Sequence, residues 1–266
     1  MGESVLYESS GEIVTITINR PHVRNSIDGP TALTLRNAFR RFDDDAGAKV
    51  AILTGAGGTF CAGADLTSVG DPERRNDLDP EGGGAGPMGP TRMTLSKPVI
   101  AAIAGHAVAG GLELALLADL RIVERDAVLG VFCRRWGVPL IDGGTVRLPR
   151  IVGLGRALDL IMTGRPVDAD EALAIGLANR VVESGRSLSA ARELAEQLVT
   201  FPFECLLTDR ASAYAGLDMT VADALRAEGV AGVPVVAREG AAGAARFVGG
   251  AGRHGQFDED PPEPRW

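Results

Sequence analysis

The chain has few of the features that mark secreted, membrane-spanning or metal-binding proteins. Three cysteines are present, Cys61, Cys133 and Cys205, odd in number and far apart. They form no CxxC pattern and no disulfide framework, so no metal site is expected, and a reducing cytoplasm is the expected compartment. No apolar run reaches membrane-spanning length; the nearest, Val99–Ala118, is broken by His106, glycines and Glu113. The opening MGESVLYESS has neither a basic nor an apolar region, so no secretory leader is expected. Positive charge is in deficit, with 27 Lys and Arg against 35 Asp and Glu and a formal net charge of −8. Nucleic acid is therefore not the expected partner, because phosphate binding draws on clustered basic side chains.

What is present is an ordinary globular composition, 45% hydrophobic and 23% charged over 266 residues. That length favours one large domain or one domain with a helical appendage. The expected division is a core over 1–195 and a C-terminal helical region with an acidic, Pro-rich tail over 196–266. EIVTITINR alternates as a strand does, and Leu33, Leu35, Ala38, Phe39 and Phe42 recur at helical spacing between Gly29 and Asp45. Val50–Thr54, VIAAI after Pro98, and Leu120–Val123 read as further strands, and Leu112–Ala118 as a buried helix. Asp71–Thr91, containing EGGGAGPMGP, reads as a mobile surface loop. The second half reads as helical: Gly153–Thr163, a capping box at Asp168 and Glu171, Ser187–Val199, Cys205–Tyr214, Val221–Arg226 and Glu239–Val248. Recurring strand, turn and helix units point to an α/β architecture.

Two Gly-rich turns carry the chemistry, TFCAGADL (Thr59–Leu66) and GHAVAGGLELAL (Gly105–Leu116). Each follows an apolar strand, where backbone N–H groups lack partners and can bind an anion or a developing oxyanion. Two such turns together would give two donors to one oxygen, as thioester enolate chemistry requires. The alternative is that the glycines only permit tight turns and close packing. The second turn lacks GxGxxG spacing, so a dinucleotide fingerprint does not fit.

NRPHVRNSI, TGAGGTFCAGADL, KPVIAAIAGHAVAGGLELALLADLRI and GVPLIDGGTVRLPRIVG, in this order, resemble successive motifs of the crotonase (enoyl-CoA hydratase/isomerase) superfamily. The similarity runs from about Val5 to Phe247 and includes TGRPVDADEALAIGLANRVV. It implies a spiral of ββα units, a helical C-terminal region that forms a homotrimer or a dimer of trimers, and an acyl-CoA substrate with no tightly bound cofactor. It places the oxyanion donors at the N–H groups of Ala64 and Gly110, and the CoA adenine against Ala62, Ala64, Asp65 and Leu66. Arg24 in the NRPxxxN segment is either a CoA phosphate contact or a solvated surface arginine.

Glu113 stands where the family has one hydratase glutamate, giving it a general acid/base reading beside that of a dipole-favoured helix residue. Twenty residues later, where hydratases have a second glutamate, stands Cys133. That thiol is either a nucleophile or inert packing. Asp142, before Gly143-Gly144-Thr145, resembles the aspartate of dienoyl-CoA isomerases, dihydroxynaphthoyl-CoA synthases and chlorobenzoyl-CoA dehalogenase. It reads as a proton carrier, as the N-cap of a helix over 143–151, or as both. Arg134, Arg135 and Trp136 either shape the acyl pocket or form a solvated charge pair beside a core aromatic, and His106 packs or hydrogen-bonds in its turn. The leading expectation is an enoyl-CoA hydratase or isomerase using Glu113 and Asp142. The competing ones are a weakly active CoA-thioester binding protein and, against the net charge, an RNA-binding one.

Overall fold

The computed structural model describes residues 2–249 and residue 251. The chain divides into two compact units, one ending at Ala195 and one starting at Glu196. In the first unit, β1 (Val5–Ser10), β2 (Ile13–Ile18), α1 (Gly29–Asp44), β3 (Val50–Gly55), β4 (Val99–Ile103), β5 (His106–Val108), α2 (Gly110–Leu117), β6 (Leu120–Glu124) and β7 (Val128–Gly130) follow one another. They lead to α3 (Gly144–Val152), α4 (Leu154–Thr163), α5 (Ala169–Ala174), β8 (Arg180–Val182) and α6 (Ser187–Thr200), whose last residues belong to the second unit. Six strands form one sheet in the order β1-β2-β3-β4-β6-β8, antiparallel only between β1 and β2. The short strands β5 and β7 pair in parallel as a second sheet.

The parallel strands β3 and β4 are almost continuously apolar and buried along their length, as sheets covered on both faces require. Helix α1 begins where the Asp28 carboxylate accepts from Thr31 N (3.1 Å) and Pro30 occupies the first turn. It buries Leu35, Phe39 and Phe42, each contributing about 1.5–3 kcal/mol of transfer free energy. The second unit contains α7 (Phe203–Ala215), α8 (Val221–Val235) and α9 (Ala241–Val248).

Several elements differ from those read in the sequence. β1, β5, β7 and β8 were not legible, because β1 carries only one buried residue and the other three are three residues long. The second half is thus not helical throughout. The stretch Asp71–Thr91 is not wholly a surface loop: Pro87, Met88, Gly89, Pro90 and Thr91 are buried. The helix expected over Val221–Arg226 continues to Val235. The acidic, Pro-rich tail over 254–266 lies outside the described residues.

Candidate active site

The first Gly-rich turn is stitched to its surroundings by main-chain bonds. Cys61 N donates to His106 O (2.9 Å) and Val108 N to Cys61 O (3.1 Å), joining the turn to β5. On the other side, Ala62 N donates to Arg24 O (3.1 Å), Ile27 N to Gly63 O (2.8 Å) and Asp65 N to Ile27 O (2.9 Å). The segment Arg24–Ile27 can both give and accept these bonds because Arg24 and Asn25 have positive φ, and the Asn25 amide donates to Ala56 O and Thr59 O. Ala62 and Asp65 thus have their N–H groups occupied, whereas Ala64 N has no acceptor among the described residues. The buried Asp65 carboxylate pairs with Arg20 and Arg74 and accepts from Thr67. Burial alone would raise its pKa, but the Thr67 and Arg20 bonds outweigh that and hold it below the ordinary value. The turn leads into a single 3-10 turn, Leu66–Ser68, not a helix, and Leu66 is exposed. Arg24 is exposed as well.

The second turn is strained. Ala109 has φ 54 and ψ −127, a conformation that side chains rarely adopt, and it is held there by its N–H on Gly130 O (2.9 Å). From this corner α2 starts with Gly110, whose N–H also lacks an acceptor among the described residues. The two turns abut. A Cβ at Gly63 would lie 3.1 Å from Gly110 N, and one at Gly111 would lie 2.1 Å from Cys61 O. Two unpaired amides, Ala64 and Gly110, are thereby brought to one place in the fold.

Glu113 follows on α2, all of whose residues are buried. Its Oε1 accepts from Asp142 N (2.9 Å) and Gly144 N (2.8 Å), the second being the first amide of α3. Its Oε2 has no partner among the described residues and is not sealed in the interior. Burial pushes the carboxyl up to about 7, helped by the Asp142 charge and opposed by the two amides and Arg147. Such a value suits a group that both gives and takes a proton near neutrality.

Asp142 is buried beside it but does not cap α3; Gly143, with φ 95, occupies that position. The N-cap reading is therefore corrected: α3 directs its first amide to Glu113, and the Asp142 carboxylate turns to the buried end of the long loop. Oδ1 accepts from Met88 N (2.9 Å) and from the Thr91 hydroxyl, while Oδ2 has no partner among the described residues. Burial raises the Asp142 pKa, against the Thr91 and Met88 bonds and the charges of Arg92 and Arg147.

Cys133 lies buried in the 3-10 turn Phe132–Trp136. Burial, and then the Glu113 charge, push its thiol up, which also places it within electrostatic reach of that acid. Cys61 is pushed up to about 12 by burial. Neither is activated. In the native protein both are expected to react with a disulfide reagent at pH 8 at least about 100-fold more slowly than free cysteine. Fast labelling mapped to Cys133 would mark it as an activated thiol instead. Trp136 is 70% exposed and so is not a core aromatic. Arg134 and Arg135 donate to Ile161 O and Gly164 O (3.1 Å each), with Arg135 stacked on Phe132, and are not a merely solvated pair. His106 is exposed, and its carbonyl serves the first turn.

Met88, Thr91 and Gly144 escaped the sequence reading. The Gly-Pro alternation before Met88 resembled linker, and nothing in it signals a buried polar contact with a residue 51 positions away. No cluster of three or more His, Cys, Asp or Glu suited to a metal occurs among the described residues, and no helix there is long and apolar enough to cross a membrane.

Paired Gly-rich turns on a spiral of ββα units, with a buried glutamate behind the second turn, define the crotonase class of fold. The chain belongs to the Enoyl-CoA hydratase/isomerase family, whose pattern matches residues 8–231. A carnitinyl-CoA dehydratase of Salmonella arizonae is 42% identical over 201 residues, 75% of this chain and 76% of the relative. The carnitinyl-CoA dehydratase of Proteus mirabilis is 40% identical over 200 residues, 74% and 75% of the two chains. Among solved structures, an enoyl-CoA hydratase from Mycobacterium tuberculosis has a TM-score of 0.86 at 34% identity, covering 92% of this chain and 96% of its own. Enoyl-CoA hydratase EchA1 from Mycobacterium marinum has a TM-score of 0.85 at the same identity and coverage.

Proposed function

We propose that the protein adds water to, or removes it from, an acyl-CoA thioester, with the Ala64 and Gly110 amides holding the enolate oxygen and Glu113 as the main acid/base. The observation that carries this reading is the pair of unpaired N–H groups on abutting turns, one of which opens the helix that carries a glutamate whose carboxyl is pushed up to about 7. As the α-carbon gains or loses a proton, negative charge develops on the thioester oxygen, where preorganised amides stabilise it most. The fastened Oε1 fixes the carboxylate, and Oε2 stays available for the proton or the water. CoA enters as part of the substrate, along Arg24, Ala62, Asp65 and Leu66, with no tightly bound cofactor. Cys133 and Trp136 border the acyl group. The protein acts in the cytoplasm as a homotrimer or dimer of trimers.

The dehydratase names of the relatives support elimination from a 3-hydroxyacyl thioester. A second reading, isomerisation of an enoyl or dienoyl thioester, rests on Asp142. Its unengaged Oδ2 supplies a second carboxylate where Cys133 replaces the expected one. The deciding assay compares crotonyl-CoA, carnitinyl-CoA, a 3-enoyl-CoA and 2,4- and 3,5-dienoyl-CoA, with Asp142→Asn beside wild type. Loss of about 10²-fold or more in kcat on every active substrate in Asp142→Asn places Asp142 in the proton path. Fast crotonyl-CoA hydration that survives Asp142→Asn removes the two-carboxylate mechanism. Tight thioester binding with no turnover would make the protein a binding protein.

A further inference from the structure

We propose that Thr91 is a positioning residue for Asp142: its buried hydroxyl, together with the Met88 amide, fixes Oδ1 and leaves Oδ2 for the reacting groups. The inference deepens the functional reading above and rests on it.

Thr91 is 0% exposed, so its hydroxyl is shut off from bulk solvent, and it donates to Asp142 Oδ1. Met88, 1% exposed, brings its N–H to the same oxygen at 2.9 Å. The strap that carries them is closed by Gly89 N on Gly86 O (2.9 Å) and Arg92 N on Ala85 O (2.8 Å). The Arg92 guanidinium fastens it further to Gly82 O, Gly83 O and Ile141 O, at 2.7 Å each. Space around the pair is reserved: Gly86 has φ +104, and a Cβ there would lie 2.1 Å from Thr91 Oγ1 and 3.1 Å from Asp142 Oδ1. The Met88 thioether also lies over the second turn, where a Cβ on Gly110 would come within 2.8 Å of Sδ. One strap thus shapes the space in front of the proposed oxyanion donor and orients the second carboxylate.

The charged groups that face Asp142 are Glu113 from α2, Arg92 from the strap and Arg147 from α3. Against that fixed background, the Thr91 bond favours the ionised carboxylate and burial disfavours it. Deleting the hydroxyl therefore moves the Asp142 titration to higher pH. A threonine that merely packs the strap would lower stability and leave the titration in place.

The test uses the full chain with Thr91→Val and Thr91→Ser. The Asp142 carboxyl is followed by NMR of carboxyl-labelled aspartate, assigned with Asp142→Asn. The pH profile of kcat is measured on the most active thioester. In Thr91→Val, Asp142 is expected to titrate above its wild-type value. The acid limb of kcat should move to higher pH with it, the plateau kcat fall about tenfold through loss of the fixed Oδ1, and KM hardly change. Thr91→Ser should restore all three. An unchanged Asp142 titration in Thr91→Val, or an equal loss in Val and Ser variants, overturns the proposal. Should the valine variant not fold, Thr91→Cys, with a weaker donor of similar size, is expected to shift the titration in the same direction, and no shift overturns it. If the wild-type protein turns over no thioester, the functional reading has failed, and the NMR titration alone decides the role of Thr91.

Discussion

Glu113→Gln is expected to lower kcat/KM about 10³-fold on whichever thioester the protein turns over, while making the fold more stable at pH 8. Both effects come from one geometry. Glutamine keeps the carbonyl oxygen that accepts from Asp142 N and Gly144 N, so α2 and α3 stay joined. It cannot give and take the proton. The stability effect follows from linkage. The unfolded carboxyl ionises near its model value of 4.5 and the folded one near 7, so the folded chain binds more protons between those values. Wild-type stability therefore falls as pH rises from about 4.5 to 7, by on the order of 3 kcal/mol, and is level above that. The neutral amide has no such dependence. Urea unfolding at pH 5 and pH 8 reads the difference directly, with the variant gaining on wild type only at the higher pH. A variant less stable than wild type at pH 8 would refute the raised pKa, and retained activity would remove Glu113 from the chemistry.

The second large effect is at Gly111, where alanine is expected to reduce kcat by about 10²–10³-fold and to lower the melting temperature. Its φ is not the obstacle. The new Cβ would lie 2.1 Å from Cys61 O and 2.8 Å from Cys61 C, both backbone atoms that cannot rotate away. The clash opens the seam between the two turns and with it the spacing of the Ala64 and Gly110 amides. Overpacking of this kind costs about 1–3 kcal/mol, a large share of ordinary domain stability. Circular dichroism melting and steady-state kinetics separate the two losses. An alanine variant with wild-type kcat would show that the seam does not set the catalytic geometry.

The fold was legible wherever a sequence pattern is long enough to be read locally. The alternation in Ile13–Ile18, the apolar runs of β3 and β4, and the Leu35, Phe39 and Phe42 stripe each announce an element by their own period. Glu113, the Gly-rich turns and Asp142 stand out in the sequence through the resemblance of their motifs to those of the crotonase superfamily. What each of them touches does not. The partners of Asp142 come from Met88 and Thr91, inside a stretch whose glycines and prolines look like linker. That α3 is capped by Gly143 and not by Asp142 depends on a positive φ that the Gly-Gly pair permits at either position. Trp136 had the composition of a core residue but lies on a 3-10 turn that leaves it exposed.

Glu113 is held entirely by main-chain amides, those of residues 142 and 144. Any residue but proline supplies such an amide. The side chain at 142 is consequently exempt from the work of holding the first acid. Selection, or an engineer, can exchange the side chain at that one position while Glu113 stays where it is. Position 142 is thus open to change at a single codon, its main chain still serving Glu113.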